Sequence, residues 1–474
     1  MKRCSRIGWG IVCARWSPSS RAPVPQSRMI TVPSEARTST QEVLPPKRAV
    51  LGPGAAIDPR VPQKRTCMAD SLIISCRPRR ISSTNSGGLG SPMPSEGGRT
   101  PGLESRRAPG PRTPPPPLPS AGPSDKQQRV TAALPRIPTH VMGSHGFPGW
   151  FWTALDRIKA GDYGQTDQKE TFDDATQLAI RDQERAGLDI VCDGEMRRYF
   201  FVQTFYSKMD GLEPVEPLRK TGLYAYDSTP RYRPRQRVTV PRGLGVVEEF
   251  QYLKSQTEKP VKATCPGPVT LSIHVQLRPG DAYGNDRLAL CWDFVPAINA
   301  ELRALVEVGA DYIQIDEPSA AIVPGQIDEY VKMFNACVEG VRARIAYHVC
   351  FGNLLSRPRG KRSYRWMFPA LLDTRCHQFV FEYANREMAE IEHWKEIGVD
   401  RDVACGVVDV KSFYMESPED VAARLELCAK FIPVERLSAV PDCGFFPVPR
   451  WVAFEKLKRL VAGTRLARTR LGLT

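Results

Sequence analysis

The chain has 474 residues, a net charge of +14, 43 prolines and 13 cysteines, and neither the charge nor the prolines are evenly spread. Residues 1–135 carry 21 Lys+Arg against 7 Asp+Glu and 22 of the prolines, so the whole excess sits there, while residues 136–474 hold 45 basic and 45 acidic groups. That balance excludes the strong basic field that nucleic acid or an anionic membrane surface attracts, and no run approaches the ~20 apolar residues of a membrane span.

The first segment, 1–135, is expected to be a disordered Pro/Arg/Ser-rich extension. The proline run 114–117 and the Ser/Gly/Arg stretch 77–90 leave no core to offset the entropy of ordering. It is Arg-rich and poor in acids, as transit peptides are, but its prolines forbid the amphipathic helix such a peptide needs. No basic block is interleaved with aromatics as in a nucleic-acid strip. We read it as functionless: either translated sequence upstream of a true start near Val130 or Met142, or a real disordered extension. Residues 7–13 are too short and too broken for a signal peptide. Nine cysteines in 136–474, an odd number with no secretory signal, suit a reducing compartment, which we take to be the cytoplasm.

From residue 136 onward, eight β-rich runs end in turn residues: 137–142, 189–193, 261–265, 311–315, 344–349, 378–382, 402–408 and 437–441. Helical periodicity lies between most of them, over 166–186, 291–308, 326–339, 387–397, 418–430 and 449–461. Eight such units in about 340 residues predict an α/β fold, a (β/α)8 TIM barrel over 136–474, with an insertion around 206–247 forming a hairpin or lid. The alternative is a doubly wound open sheet, but no Gly-rich phosphate loop supports it.

A barrel requires its chemistry to sit at the carboxyl ends of the strands. The unusual polar residues obey that demand: Ser144, Glu195, Asp316, His348 with Cys350, Glu382, Asp409, and Asp442 with Cys443. Residues two apart on a strand share a face, so His348 and Cys350 can reach one ion. Together His348, Cys350, Glu382 and Cys443 supply one nitrogen, two sulfurs and a carboxylate, a set suited to four-coordinate Zn2+ and poor for magnesium or calcium. Read singly, each has a plainer role. A histidine bonded to backbone, a buried cysteine and a carboxylate paired with an arginine are all ordinary barrel residues.

Residues from about 139 to 460 resemble the C-terminal catalytic domain of cobalamin-independent methionine synthase. The motifs that carry the resemblance are Gly143-Ser144, Glu195, Gly267-Pro268-Val269-Thr270, Gln314-Ile315-Asp316-Glu317-Pro318, His348-Val349-Cys350, Glu382, Gly406-Val407-Val408-Asp409 and Pro441-Asp442-Cys443-Gly444. The resemblance implies a zinc-dependent S-methyltransferase that converts homocysteine to methionine. Its zinc ligands fall on His348, Cys350, Glu382 and Cys443, and Ser144, Glu195 and Asp316 fall where the amino-acid end of homocysteine is held.

The chain departs from the family on the donor side. Lys411 stands beside Asp409 where a histidine is usual, and His274 stands where a tryptophan is usual. Lys411, Asp409 and His274 are therefore the candidate catalytic residues, and the methyl donor is open between methyl-tetrahydrofolate and a methyl-corrinoid protein. An insertion at 357–366 lengthens the loop between Cys350 and Glu382. No additional N-terminal barrel precedes the catalytic domain, as in the family's short forms. The competing functions are a zinc thiol alkyltransferase of the coenzyme M or epoxide-opening kind, and an inactive barrel whose basic tail binds a partner.

Overall fold

A computed structural model of the protein describes residues 134–198, 201–216, 230–323, 325–353 and 361–473. The expected extension over 1–135 lies outside the described residues except for its last two, as do parts of both insertions. All described residues belong to one compact unit, Ser105–Thr474.

In chain order the first strands are β1 (Asp210–Val215) and β2 (Arg231–Thr239), an antiparallel hairpin inside the insertion. The next six are β3 (Ala263–Pro266), β4 (Tyr312–Asp316), β5 (Arg344–Val349), β6 (Gln378–Glu382), β7 (Asp402–Val408) and β8 (Leu437–Pro441). They form one parallel sheet in sequence order.

The runs at 137–142 and 189–193 do not form full strands, but they close the sheet into a ring. Thr139 bridges Ala439 of β8, and Val191 bridges Val261 just before β3. Asp189 N donates to Thr139 O at 3.1 Å, joining the two runs to each other. The barrel is therefore complete, eight positions round, with its first two positions reduced to short bridges.

Alternation along the strands separates two apolar regions. Ile313, Ile345, Phe379 and Val403 face the helices in the large outer core. Met142, Tyr312, Ala346, Val380, Ala404 and Val440 form a distinct cluster inside the ring. The even-numbered positions that follow on the same strands, Asp316, His348 and Glu382, thus emerge above that inner layer at the carboxyl end.

Two of the expected helices are corrected. The stretch 387–397 is helical only over His393–Ile397, because Glu387, Met388 and Glu390 take positive φ of 53°, 63° and 69°, which a right-handed helix forbids. The last helix continues past 461, running Arg450–Arg470.

Candidate metal centre

The parallel register places Asp316 opposite His348 across β4 and β5. Cys350 follows one residue after β5 ends, and Cys443 lies two residues beyond β8. The ligand atoms of His348, Cys350 and Cys443 all lie within 4.8 Å of one another, and the two sulfurs are 3.5 Å apart. All three residues are buried. Burial pushes the Cys350 thiol well up, and the neighbouring Cys443 and Glu382 push it the same way. A cation among these sulfurs would reverse that pressure.

Three buried polar atoms at this spot have no hydrogen-bond partner among the described residues: His348 Nε2, Glu382 Oε1 and Asp316 Oδ2. Buried polar atoms are paired in most structures, so three orphans around two sulfurs fit a site built for a metal and a polar substrate. His348 Nδ1 is accounted for, 2.6 Å from Asp316 Oδ1, which is how metal-binding imidazoles are commonly oriented.

Glu382 is less simply placed. It stands outside the group of three, and its Oε2 is ion-paired with Lys411 Nζ, with both side chains buried. Phe351 N donates to the same oxygen at 3.2 Å. The lysine that departs from the family pattern thus holds the carboxylate expected to complete the ligand set.

The substrate candidates gather on the first four strand ends. Glu195 takes a left-handed φ of 52° directly after Gly194, which turns its carboxylate inward. There Oε1 accepts from Arg198 and from Thr264 Oγ1, each at 2.9 Å. Burial pushes the Glu195 carboxyl up to about 8, with Arg198 opposing and Asp316 and Asp193 adding. Gly143 must lack a side chain, because a Cβ there would overlap the Glu195 carboxylate, 2.7 Å from its Cδ. Ser144 lies on the far side of the same loop, where its Oγ accepts from Phe446 N at 3.4 Å and its carbonyl from Phe445 N at 2.8 Å.

Of the three donor-side candidates, Asp409 and Lys411 meet in one turn after β7, and His274 pairs elsewhere. His274 is buried against the hairpin, where its Nδ1 accepts from Arg231 at 2.8 Å and its carbonyl accepts from Tyr232 N at 3.0 Å. Asp409 caps its own turn, with Oδ1 accepting from Lys411 N at 2.7 Å and Oδ2 from Ser412 Oγ at 2.8 Å.

Two residues have a positioning role that the sequence did not assign. Tyr364, in the described end of the 357–366 insertion, donates from its hydroxyl to Val349 O at 3.0 Å and accepts from Glu382 N at 3.0 Å, tying β5 to β6 behind the ligands. Asp442 accepts from the backbone N–H groups of Tyr383, Ala384 and Asn385 at 3.0, 2.9 and 2.6 Å, fixing the turn after Glu382. Only the position of Asp442 beside Cys443 hinted at this, and nothing in the periodicity marked Tyr364.

Fold and site together define a (β/α)8 enzyme with a candidate His/Cys/Cys metal site at the carboxyl ends of its strands. The family described as "Cobalamin-independent synthase, Catalytic domain" matches residues 137–465. The chain is 32% identical over 340 residues to a methionine synthase of Sulfurisphaera tokodaii, covering 71% of this chain and 94% of that one. It is 30% identical over 339 residues to one of Thermococcus kodakarensis, covering 71% and 95%. Among solved structures, a B12-independent methionine synthase from Shewanella sp. W3-18-1 in complex with selenomethionine superposes with a TM-score of 0.60 at 26% identity, covering 71% of this chain and 99% of that one. The chain belongs to the cobalamin-independent methionine synthase family.

Proposed function

We propose that this chain, a homocysteine methyltransferase of the cobalamin-independent methionine synthase type, holds Zn2+ on His348, Cys350 and Cys443, with Glu382 as the exchangeable fourth ligand. The observation that carries this reading is the buried one-nitrogen, two-sulfur cluster with an unpartnered His348 Nε2. Zinc bound there would lower the pKa of a sulfur ligand and keep it nucleophilic at neutral pH.

The chain's own residues supply the rest. Asp316 serves both sides of the pocket, with Oδ1 orienting His348 and the unpartnered Oδ2 available to a substrate ammonium, a role that Glu195 shares. Backbone N–H groups of the loop at Ser144 suit the substrate carboxylate. Lys411 would serve as the counterion of Glu382 when that carboxylate is not a metal ligand, so that no buried charge is left unpaired. Two carboxylates that suit an ammonium would disfavour coenzyme M-type substrates, which carry none.

In the transfer, a bond forms between the methyl carbon and the homocysteine sulfur, the bond from that carbon to its donor breaks, and the thiol proton leaves to solvent. Lys411 is ion-paired with Glu382, which favours its charged form and makes it a reluctant proton donor, and His274 Nδ1 accepts from Arg231. That favours a methyl-corrinoid protein as donor, because the departing cobalt centre keeps its electron pair and needs no proton. The free buried cysteines support a cytoplasmic enzyme, and among the described residues no helix is long and apolar enough to cross a membrane.

The test combines metal analysis with a homocysteine-dependent assay against both donors. We expect about one zinc per chain, lost in Cys350→Ala and Cys443→Ala, and turnover with methylcobalamin that exceeds turnover with methyl-tetrahydrofolate. Full zinc retention in both variants would make the two thiols core residues only.

A further inference from the structure

Lys262 lies inside the barrel, 1% exposed, next to the inner apolar layer and below the metal site. Three acceptors surround its ammonium: Gln314 Oε1 at 2.5 Å, His140 Nδ1 at 3.1 Å and the carbonyl of Val141. An ammonium only donates, so Gln314 must present its oxygen to Lys262. The amide nitrogen is then turned the other way, where it donates to Met142 O at 2.7 Å and to Asp316 Oδ1 at 2.6 Å. A carbonyl only accepts, so Met142 imposes the same orientation independently of Lys262. Asp316 Oδ1 thus receives a hydrogen from Gln314 and stands as an acceptor toward His348 Nδ1 as well, 2.6 Å away.

We propose that Lys262 and Gln314 are positioning residues of the metal centre: they fix the direction of the hydrogen bonds along Lys262, Gln314, Asp316 and His348, so that His348 carries its hydrogen on Nδ1 and turns the Nε2 lone pair to the metal. Neither residue is among the candidate metal ligands, and Gln314 reaches the substrate side only through its bond to Asp316. Both act through Asp316, which holds the imidazole in one tautomer. The neighbouring inner layer of Met142, Ala346, Val380 and Val440 has no packing need for a buried ammonium. The polarity of this chain accounts for it. The inference rests on the metal reading above, and its test separates the two.

The test uses the full chain with Lys262→Met, Gln314→Glu and, as a control, Gln378→Met. Gln378 is equally buried in the same interior but bonds Tyr312 and Ser438, outside the chain of four. Zinc affinity is measured by chelator competition, and the His348 tautomer by 15N NMR of the metal-free protein. Wild type should show hydrogen on Nδ1. Lys262→Met and Gln314→Glu should weaken zinc binding by about ten- to a hundredfold and move the His348 nitrogen shifts toward a mixture. Gln378→Met should leave both within about twofold of wild type.

Equal losses in Gln378→Met, or an unchanged tautomer in Lys262→Met and Gln314→Glu, would overturn the proposal. So would failure of both variants to fold, because the ammonium and the amide would then serve the fold alone. A wild-type chain that binds no zinc refutes the metal reading instead, and the tautomer measurement still decides this one.

Discussion

At the scale of single residues, the site is governed by which buried groups have partners and which do not. Lys411 and Glu382 neutralise each other in a place neither could occupy alone. Breaking a buried pair by removing one member costs about 3–5 kcal/mol, so Lys411→Met should lower the stability of the metal-free protein by about that much. Zinc bound as proposed would supply Glu382 with another cation, so the loss should shrink markedly in zinc-loaded protein. Denaturant titrations with and without a chelator measure the difference, and equal losses in both states would show that Glu382 never reaches the metal. Glu195 offers a pH test. Burial pushes its carboxyl up to about 8, whereas a ligand ammonium beside it stabilises the charged form and pulls it down. Binding of L-methionine, whose thioether has no proton to lose, should therefore release protons near neutral pH. Affinity should rise as pH is raised toward 8 and then level off. Calorimetry in buffers of different ionisation enthalpy reads the proton, and Glu195→Gln should abolish both its release and the pH dependence.

At the scale of elements, the strand ends are held in register by carboxylates tucked against glycine. Gly406 on β7 is one such contact: a Cβ there would run into the Asp442 carboxylate, 2.8 Å from the Asp442 Cα and 3.1 Å from the Glu382 Cα. Two of those atoms are backbone, so β6 and β8 must move if the side chain grows. Gly406→Ala should cost about 1–3 kcal/mol and weaken zinc binding disproportionately, since Glu382 and Cys443 ride on the displaced strands. Thermal unfolding together with chelator competition tests this, and a variant with wild-type zinc affinity would show the strand ends to be loosely coupled.

Much of this level was legible in the sequence. The runs that became β3 to β8 carry apolar residues on both faces and stop at turn residues, and the chemistry-bearing side chains stand at those stops. The 206–247 insertion, expected as a hairpin or lid from its Arg/Tyr/Pro-rich composition, contains the β1–β2 hairpin. What could not be read depends on distant contacts. The periodicity of 387–397 is helical, yet the Glu390 carboxylate turns back to Tyr364 N at 2.9 Å and to Ser363, and the chain follows it through positive φ. The pairing of Lys411 with Glu382 and of His274 with Arg231 joins residues 29 and 43 apart in the chain, and no local pattern records either.

At the scale of the whole molecule, the decisive feature is how the ring closes. The run at 137–142 is the last link: His140 N donates to Ala439 O at 3.2 Å, Ala439 N to Pro138 O at 3.0 Å, and Asp189 N to Thr139 O at 3.1 Å. Arg468 from the last helix holds the entry to that run, with its Nη2 donating to Ile137 O at 3.0 Å and its Nε to Arg136 O at 2.7 Å. Ile137 and Val141 are buried in the outer core, and Met142 seals the inner one. These contacts separate the two starting points that the sequence suggested. A chain beginning at Val130 keeps every one of them, so deletion of residues 1–129 should leave soluble protein with wild-type zinc content and homocysteine methyl transfer. A chain beginning at Met142 loses Ile137 and Val141, each worth about 1.5–3 kcal/mol of burial, and opens an edge in the sheet between β8 and the run at 189–193. Set against a total stability of about 5–15 kcal/mol, that loss should leave an aggregating or unfolded product. Expression of both truncations, with circular dichroism and metal analysis, checks the pair. A folded, zinc-loaded protein starting at Met142 would mean that the barrel closes without its first position, and that the metal site needs only β3 to β8.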